Sequence, residues 1–235
     1  MRDALADWWA IRHLVDWTAG SGDERPTRTG RDGVEDHLTA RDGAASIPAL
    51  TQVRADAAAG RTLSWNVLCG WQSLVLGERI TAFRTGDAFA KGGRERYGLA
   101  PDTPQRFAAC LADTDQSAET DQSAGSGQSA LPLAGRAARA YLDVCFFHPF
   151  RDGNGRAAAL VLYFVLLRAG IVLDAATPAL ATVRQAGDAA GAADFARLVA
   201  ILVAATRRRA GSATAAQAVH CGKGWDRHGR LGGWR

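Results

Sequence analysis

Nine residues, His148-Pro149-Phe150-Arg151-Asp152-Gly153-Asn154-Gly155-Arg156, lie between two apolar runs and set the frame for both. Before them, Leu133 to Phe147 carries Ala137, Ala140, Tyr141, Val144, Cys145 and Phe147 over a wide face, which predicts a central, mostly buried helix. After them, Arg156 to Ala169 is apolar nearly all round and stops at Gly170, which predicts a second helix in the middle of a bundle. The nine residues are therefore a loop with a helix on either side.

The residue types in that loop suit phosphate chemistry. Where Gly153, Asn154 and Gly155 lead into a helix, successive N–H groups form an anion nest, aided by the helix dipole. Two glycines let the backbone turn tightly and approach a ligand closely. Arg156 adds a planar cation suited to phosphate oxygens. Asp152 is a hard oxygen ligand that suits Mg²⁺, with phosphates completing the shell. His148, just ahead of the nest, can take a proton from an incoming hydroxyl. Taken singly these residues say little. A lone histidine at a helix end is usually a cap or a core partner, Asp-Gly-Asn-Gly is a common turn, and Phe150 is a core anchor on any reading. The order in which they stand together carries the signal.

The remainder reads as helical with one exception. Leu5 to Trp17 is a short amphipathic helix with an aromatic face, and Thr18 to Gly43 reads as loop. Ser46 is the expected cap of a helix running to about Ala59. A second helix carries Trp65 to Val75 and ends near Gly77. Arg79 to Tyr97 changes character and predicts a β-hairpin, with short runs flanking Thr85-Gly86-Asp87 and Gly92-Gly93 closing the second. Thr103 to Leu111 is a short helix with Thr103 as cap. Residues 114–130 hold three polar hexad copies and read as a linker. Asp194 to Arg209 is a last amphipathic helix. Three segments follow: 1–45, an N-terminal helix and loop; 46–209, the main domain; and 210–235, a flexible basic tail.

Charge argues against a nucleic-acid partner despite a pI of about 9.2. From Arg207 onward there are seven Lys/Arg and one Asp, a net of +6 against +4 for the whole chain, which leaves residues 1–206 at −2. Cys69, Cys110, Cys145 and Cys221 are scattered without a CxxC pair, as expected of free thiols in a cytoplasmic protein. No signal peptide is evident, and the apolar run Ala157 to Leu167 is too short to span a membrane.

The stretch from His148 to Arg156 matches at every specified position the signature His-Pro-Phe-x-Asp/Glu-Gly-Asn-Gly-Arg, and the chain resembles the Fic family on these residues. The resemblance extends from about Ala49 to Arg209, with Arg79 to Gly93 similar to the family's flap. It implies an all-α fold: a Fic-type helical bundle with a small β-hairpin flap. It further implies Mg²⁺-dependent transfer of AMP from ATP to a hydroxyl of a target protein, releasing pyrophosphate. On that basis His148 is the general base and Asp152 the metal ligand. Phe150, Gly153, Asn154 and Gly155 belong to the nucleotide-binding stretch, and Arg156 pairs with the β-phosphate. The flap residues Phe83, Arg84 and Thr85 would meet an extended target segment.

Two departures qualify this. Family members often carry a second arginine three residues after the first, for the γ-phosphate; here it is Ala159. An inhibitory Ser/Thr-x-x-x-Glu-Gly/Asn helix is also missing, the nearest stretch being Arg31 to Asp36. The alternatives are another nucleotide or phosphate-containing donor, a small-molecule acceptor, or a nucleotide-binding module without turnover. An antitoxin-like regulator is left open by the sequence.

Overall fold

The structure is a computed structural model that describes residues 1–119 and 130–222, of which 116–119 and 213–222 are described by backbone alone. It is mostly helical with one two-stranded antiparallel sheet. The helices are α1 (Ala4–Ile11), α2 (Gly33–Asp42), α3 (Ile47–Ala58), α4 (Trp65–Leu76), α5 (Thr103–Glu119), α6 (Leu133–Phe147), α7 (Asn154–Arg168), α8 (Thr177–Leu180) and α9 (Ala189–Gly222). The strands are β1 (Ala88–Ala90) and β2 (Glu95–Tyr97).

The core is the α6–α7 pair. All of Ala157 to Leu166 is buried in α7, and α6 exposes almost nothing. Helices α3 and α4 cover α7, while α5 and α9 cover α6. Gly135 shows how close the packing is: a Cβ there would stand 2.3 Å from the carbonyl oxygen of Trp17. Capping follows the sequence. Ser64 accepts the Val67 N–H at 3.4 Å to start α4, and Gly77, in the left-handed region at φ 69°, ends it.

Residues 1–45 are built into this core. Trp8 is fully buried, and its indole N–H donates to Asp143 Oδ1 of α6 at 3.0 Å. Arg12 grips the same carboxylate through Nε at 2.7 Å and Nη2 at 2.8 Å.

Several expectations need correction. Residues 18–43 are not all loop, because α2 forms there. Asp32 caps it, accepting the Val34 and Glu35 N–H groups at 3.1 Å each. Only Gly33, Val34 and Leu38 are buried on that helix, so it shows little apolar periodicity. Ser46 does not cap α3; its hydroxyl donates to Gly43 O at 3.0 Å. The first hexad copy is not linker but the end of α5. Thr114 is buried there and Asp115 Oδ2 accepts the Leu63 N–H at 2.7 Å. The later copies, at 120–129, lie outside the described residues. Helix α9 runs past Arg209 to Gly222, so the tail does not start at 210; residues 223–235 lie outside the description.

Within α9, Ala189–Ser212 is long and apolar enough to cross a membrane by length and composition, which Ala157 to Leu167 is not. Its Phe195, Ala196, Val199, Leu202 and Val203 are buried in the shared core, so it is a helix of the bundle. Cys69, Cys110 and Cys145 are free, and burial pushes their thiols up to about 11, 12 and 12.

The hairpin exists, but its turn is elsewhere. Ala88 pairs with Tyr97, Phe89 with Arg96 and Ala90 with Glu95. Lys91, Gly92 and Gly93 make the turn at φ 53°, 66° and 81°. Asp3 bridges to Arg96 on the far side of β2, so the N-terminus borders the hairpin.

Candidate active site

The loop between α6 and α7 brings the sequence candidates to one place. His148 ends α6 in the left-handed region, φ 49° and ψ 55°, with its N–H on Val144 O at 3.1 Å. That backbone costs a non-glycine residue about 1–3 kcal/mol and persists only when its surroundings enforce it. Its Nδ1 lies 3.2 Å from Cys145 O. A carbonyl can only accept, so Nδ1 carries the proton and Nε2 keeps its lone pair. The imidazole stacks on Tyr97, with ring centres 4.3 Å apart and planes 16° from parallel. Burial holds its pKa below the ordinary value; the Cys145 bond opposes this, Arg84 adds to it, and Glu95 and Asp152 pull upward. The ring is therefore neutral at pH 7.

The loop's shape is fixed from both ends. Phe150 is buried and stacks on Trp65, with ring centres 5.3 Å apart. Asn154 Oδ1 accepts the Phe150 N–H at 2.9 Å, and its Nδ2 donates to Phe150 O at 2.9 Å. The Asn154 side chain is thus buried and spent on the loop, which leaves its backbone N–H for any anion. Phe150 anchors the loop in the same way.

Gly153 starts α7 at φ 74° and offers no capping side chain. A Cβ there would also meet Gln72 Nε2 at 2.5 Å, so glycine is required by conformation and by space. Without a cap, the N–H groups of Asn154, Gly155 and Arg156 have no helical acceptor. Gly155 is exposed and nothing stands within 4 Å of a Cβ built on it, so the face over this helix end is open. Arg156 lies between two carboxylates, its Nη2 3.6 Å from Asp152 Oδ2 and its Nη1 4.0 Å from Asp42 Oδ1.

Asp152 is mostly exposed, its side chain 82% accessible; Oδ1 accepts the Gly153 N–H at 2.6 Å, and Oδ2 faces the Arg156 guanidinium. Among the described residues no group of three or more His, Cys, Asp or Glu stands close enough to hold a metal ion. The donor set fits Mg²⁺ in the form that takes one carboxylate and fills its shell with substrate phosphates and water.

The expected flap residues sit differently. Phe83, Arg84 and Thr85 precede β1 instead of lying on the hairpin. Phe83 packs on Trp65 and Phe107, and Thr85 is exposed. Arg84 is buried: Nε donates to His148 O at 2.9 Å, Nη2 to Gly98 O at 2.8 Å and Phe147 O at 3.4 Å, and Nη1 to Gly86 O. Its backbone N–H adds Pro149 O at 3.0 Å. It is a clamp on the end of α6, where a cation also suits the helix dipole.

Two site residues escaped the sequence reading. Gln72 is fully buried in α4 and donates to Asp152 O at 2.7 Å, leaving its own Oε1 without a partner. A glutamine inside an apolar periodic run was the available signal. Asp42, whose Oδ2 is buried and also without a partner, ends a helix read as loop. Ala159 is 2% exposed, so the place of the absent second arginine is core.

Residues 63–166 match the model of the Fic/DOC family, whose members are generally transferases known for nucleotidyl transfer. Among solved structures, a Fic-domain-containing signalling protein from Bacteroides thetaiotaomicron VPI-5482 shares the fold, with a TM-score of 0.50 and 19% identity over 77% of this chain and 74% of that one. A Fic family protein from Desulfovibrio desulfuricans G20 matches with a TM-score of 0.46 and 14% identity over 91% of this chain and 65% of that one. No curated protein matches the chain. The whole stretch from His148 to Arg156 lies inside residues 63–166, the part of the chain that matches the Fic/DOC family model.

Proposed function

We propose that the chain transfers AMP from ATP to a hydroxyl of a target protein. The observation that carries this reading is the state of His148. Its Nδ1 is committed to Cys145 O and burial keeps it neutral, so its Nε2 is a free base one loop away from an uncapped helix end. The N–H groups of Asn154, Gly155 and Arg156 and the Arg156 guanidinium receive the phosphates. Asp152 would hold Mg²⁺, which when bound offsets phosphate charge. The target hydroxyl oxygen forms a bond to the α-phosphorus and gives its proton to His148 Nε2. The bond from the α-phosphorus to the oxygen bridging the β-phosphate breaks, and pyrophosphate leaves with that electron pair.

A second reading keeps the fold and changes the donor or the acceptor. It is favoured by Ala159, which is buried and leaves a γ-phosphate without its usual arginine. The donor would then be held through its α- and β-phosphates, or be a different nucleotide or phosphate-containing compound, and the acceptor a small molecule. The readings separate on incubation with each nucleoside triphosphate labelled at the α-phosphorus, with Mg²⁺ and a cell lysate. Label from ATP in protein is the expected result. Label from another nucleotide, or only in small products, selects the second reading. His148→Ala should abolish transfer while nucleotide affinity is kept, and transfer at the parent rate would remove His148 as base.

A further inference from the structure

The hairpin reaches the base directly. Tyr97 of β2 is 4% exposed and lays its ring on the His148 imidazole, with 4.3 Å between centres and 16° between planes. The tyrosine is itself held in place. Its hydroxyl donates to Glu95 Oε2 at 2.7 Å, and Glu95 Oε1 takes Lys91 Nζ at 2.5 Å across the turn. Next along the chain, the Gly98 N–H donates to Asp3 Oδ1 at 3.0 Å, while Gly98 O takes the Arg84 guanidinium that also holds His148 O. The imidazole and its cover are thus tied to one another through ring contact and through Arg84.

A single hydrogen bond at 3.2 Å does not by itself fix a ring, because rotation about the Cβ–Cγ bond carries Nδ1 away from Cys145 O. A flat partner against one face resists that rotation. We infer that Tyr97 is a positioning residue for His148: its ring, held by Glu95, fixes the imidazole plane so that Nδ1 stays on Cys145 O and Nε2 stays free. The inference rests on the proposed transfer only for what the base does, not for the contact. A plain packing role would fill the same space without selecting a tautomer.

The charges facing the imidazole come from three sides. Arg84 precedes the hairpin, Glu95 lies on β2 with Lys91 behind it, and Asp152 lies on the loop; Cys145 supplies its carbonyl from α6. Tyr97 acts on the ring in two opposed ways. Its face favours an imidazolium, while its bulk removes water from the ring. Burial is the largest cause of the depressed imidazole pKa, and the stacked Tyr97 ring is part of what covers it.

The full chain labelled with ¹⁵N-histidine tests this, since the two ring nitrogens report tautomer and titration separately. The chain has five histidines, and His148→Ala assigns the signal. In the parent chain, Nδ1 should be the protonated nitrogen. Tyr97→Leu should mix the tautomers and raise the His148 midpoint toward the ordinary value, while Tyr97→Phe, which keeps the ring, should retain the parent pattern. Transfer by Tyr97→Leu should fall about tenfold in kcat, a fraction of what a general base supplies, with donor KM unchanged and Tyr97→Phe restoring most of it. Should Tyr97→Leu not fold, Tyr97→Met fills the space without a flat face and is read the same way. A folded variant of either kind with the parent tautomer and midpoint overturns the inference. A parent chain that transfers from no donor, yet whose imidazole responds to Tyr97 as described, sinks the transferase reading and leaves the positioning role standing.

Discussion

At the scale of single residues, the site is defined by groups committed elsewhere. His148 holds a left-handed backbone, a stacked ring and a bonded Nδ1, and only its Nε2 remains uncommitted. Its depressed pKa gives a signed prediction. The unfolded chain takes up a proton near the ordinary histidine value of about 6.5, and the folded chain only at lower pH. The stability due to the neutral ring is present above that value and is lost as pH falls through the folded one. Denaturant melts across that window should show this loss, and His148→Ala should remove it. The rate should follow the same group, with the acid limb of kcat/KM centred below about 6.5. At Ala159, buried at 2% exposure, the structure changes the expectation. The sequence pattern suggests Ala159→Arg as a switch of donor preference. In this core, overpacking alone costs about 1–3 kcal/mol. A lowered Tm should therefore precede any change in donor kinetics. The loop's residue types were readable because their order is distinctive. That Asn154 serves the loop through its side chain was not, since the sequence does not show which way a side chain turns.

At the scale of elements, legibility followed periodicity. Helix α6 is found where the pattern puts it, and α7 starts two residues early because Asn154 and Gly155 are polar or small yet helical. Helix α2 was missed because its two buried apolar side chains, Val34 and Leu38, are too few for a stripe. Its signal was local: Asp32 with Glu35 three residues on, the spacing of a capping box. Asp32 also binds Arg54 Nη2 at 2.9 Å and accepts the Tyr163 hydroxyl, tying α2 to α3 and α7. Asp32→Ala should cost about 1–2 kcal/mol for the cap alone, and Asp32→Asn less, because its oxygen still accepts the N–H groups. Urea denaturation of both variants checks the order. The hairpin's turn was misplaced because Thr85-Gly86-Asp87 and Lys91-Gly92-Gly93 are both turn-like, and pairing across three-residue strands is too short to decide between them from pattern.

At the scale of the whole molecule, the N-terminal segment is structural. Asp143 is fully buried and depends on Trp8 and Arg12 from the first helix and the turn after it. Asp143→Ala takes the close partner from Arg12, leaving it only the longer contact to Asp113 at 3.9 Å, and should destabilise by about 3–5 kcal/mol. Deleting residues 1–16 takes both of these partners from Asp143 and should also lower Tm, whereas a dispensable appendage would come off without effect. The spacing of these partners, 131 residues apart in the chain, is why no local pattern announced them.

The bundle's geometry also separates two kinds of change. The connection from α5 re-enters at Leu133, the start of α6, while His148 follows its other end. Fifteen helical residues at about 1.5 Å each put roughly 22 Å between them. A fluorophore carried on a cysteine put in place of Ala130, beyond that far end, should therefore leave turnover as it was. That end of the helix is where a probe can follow the protein without disturbing its chemistry.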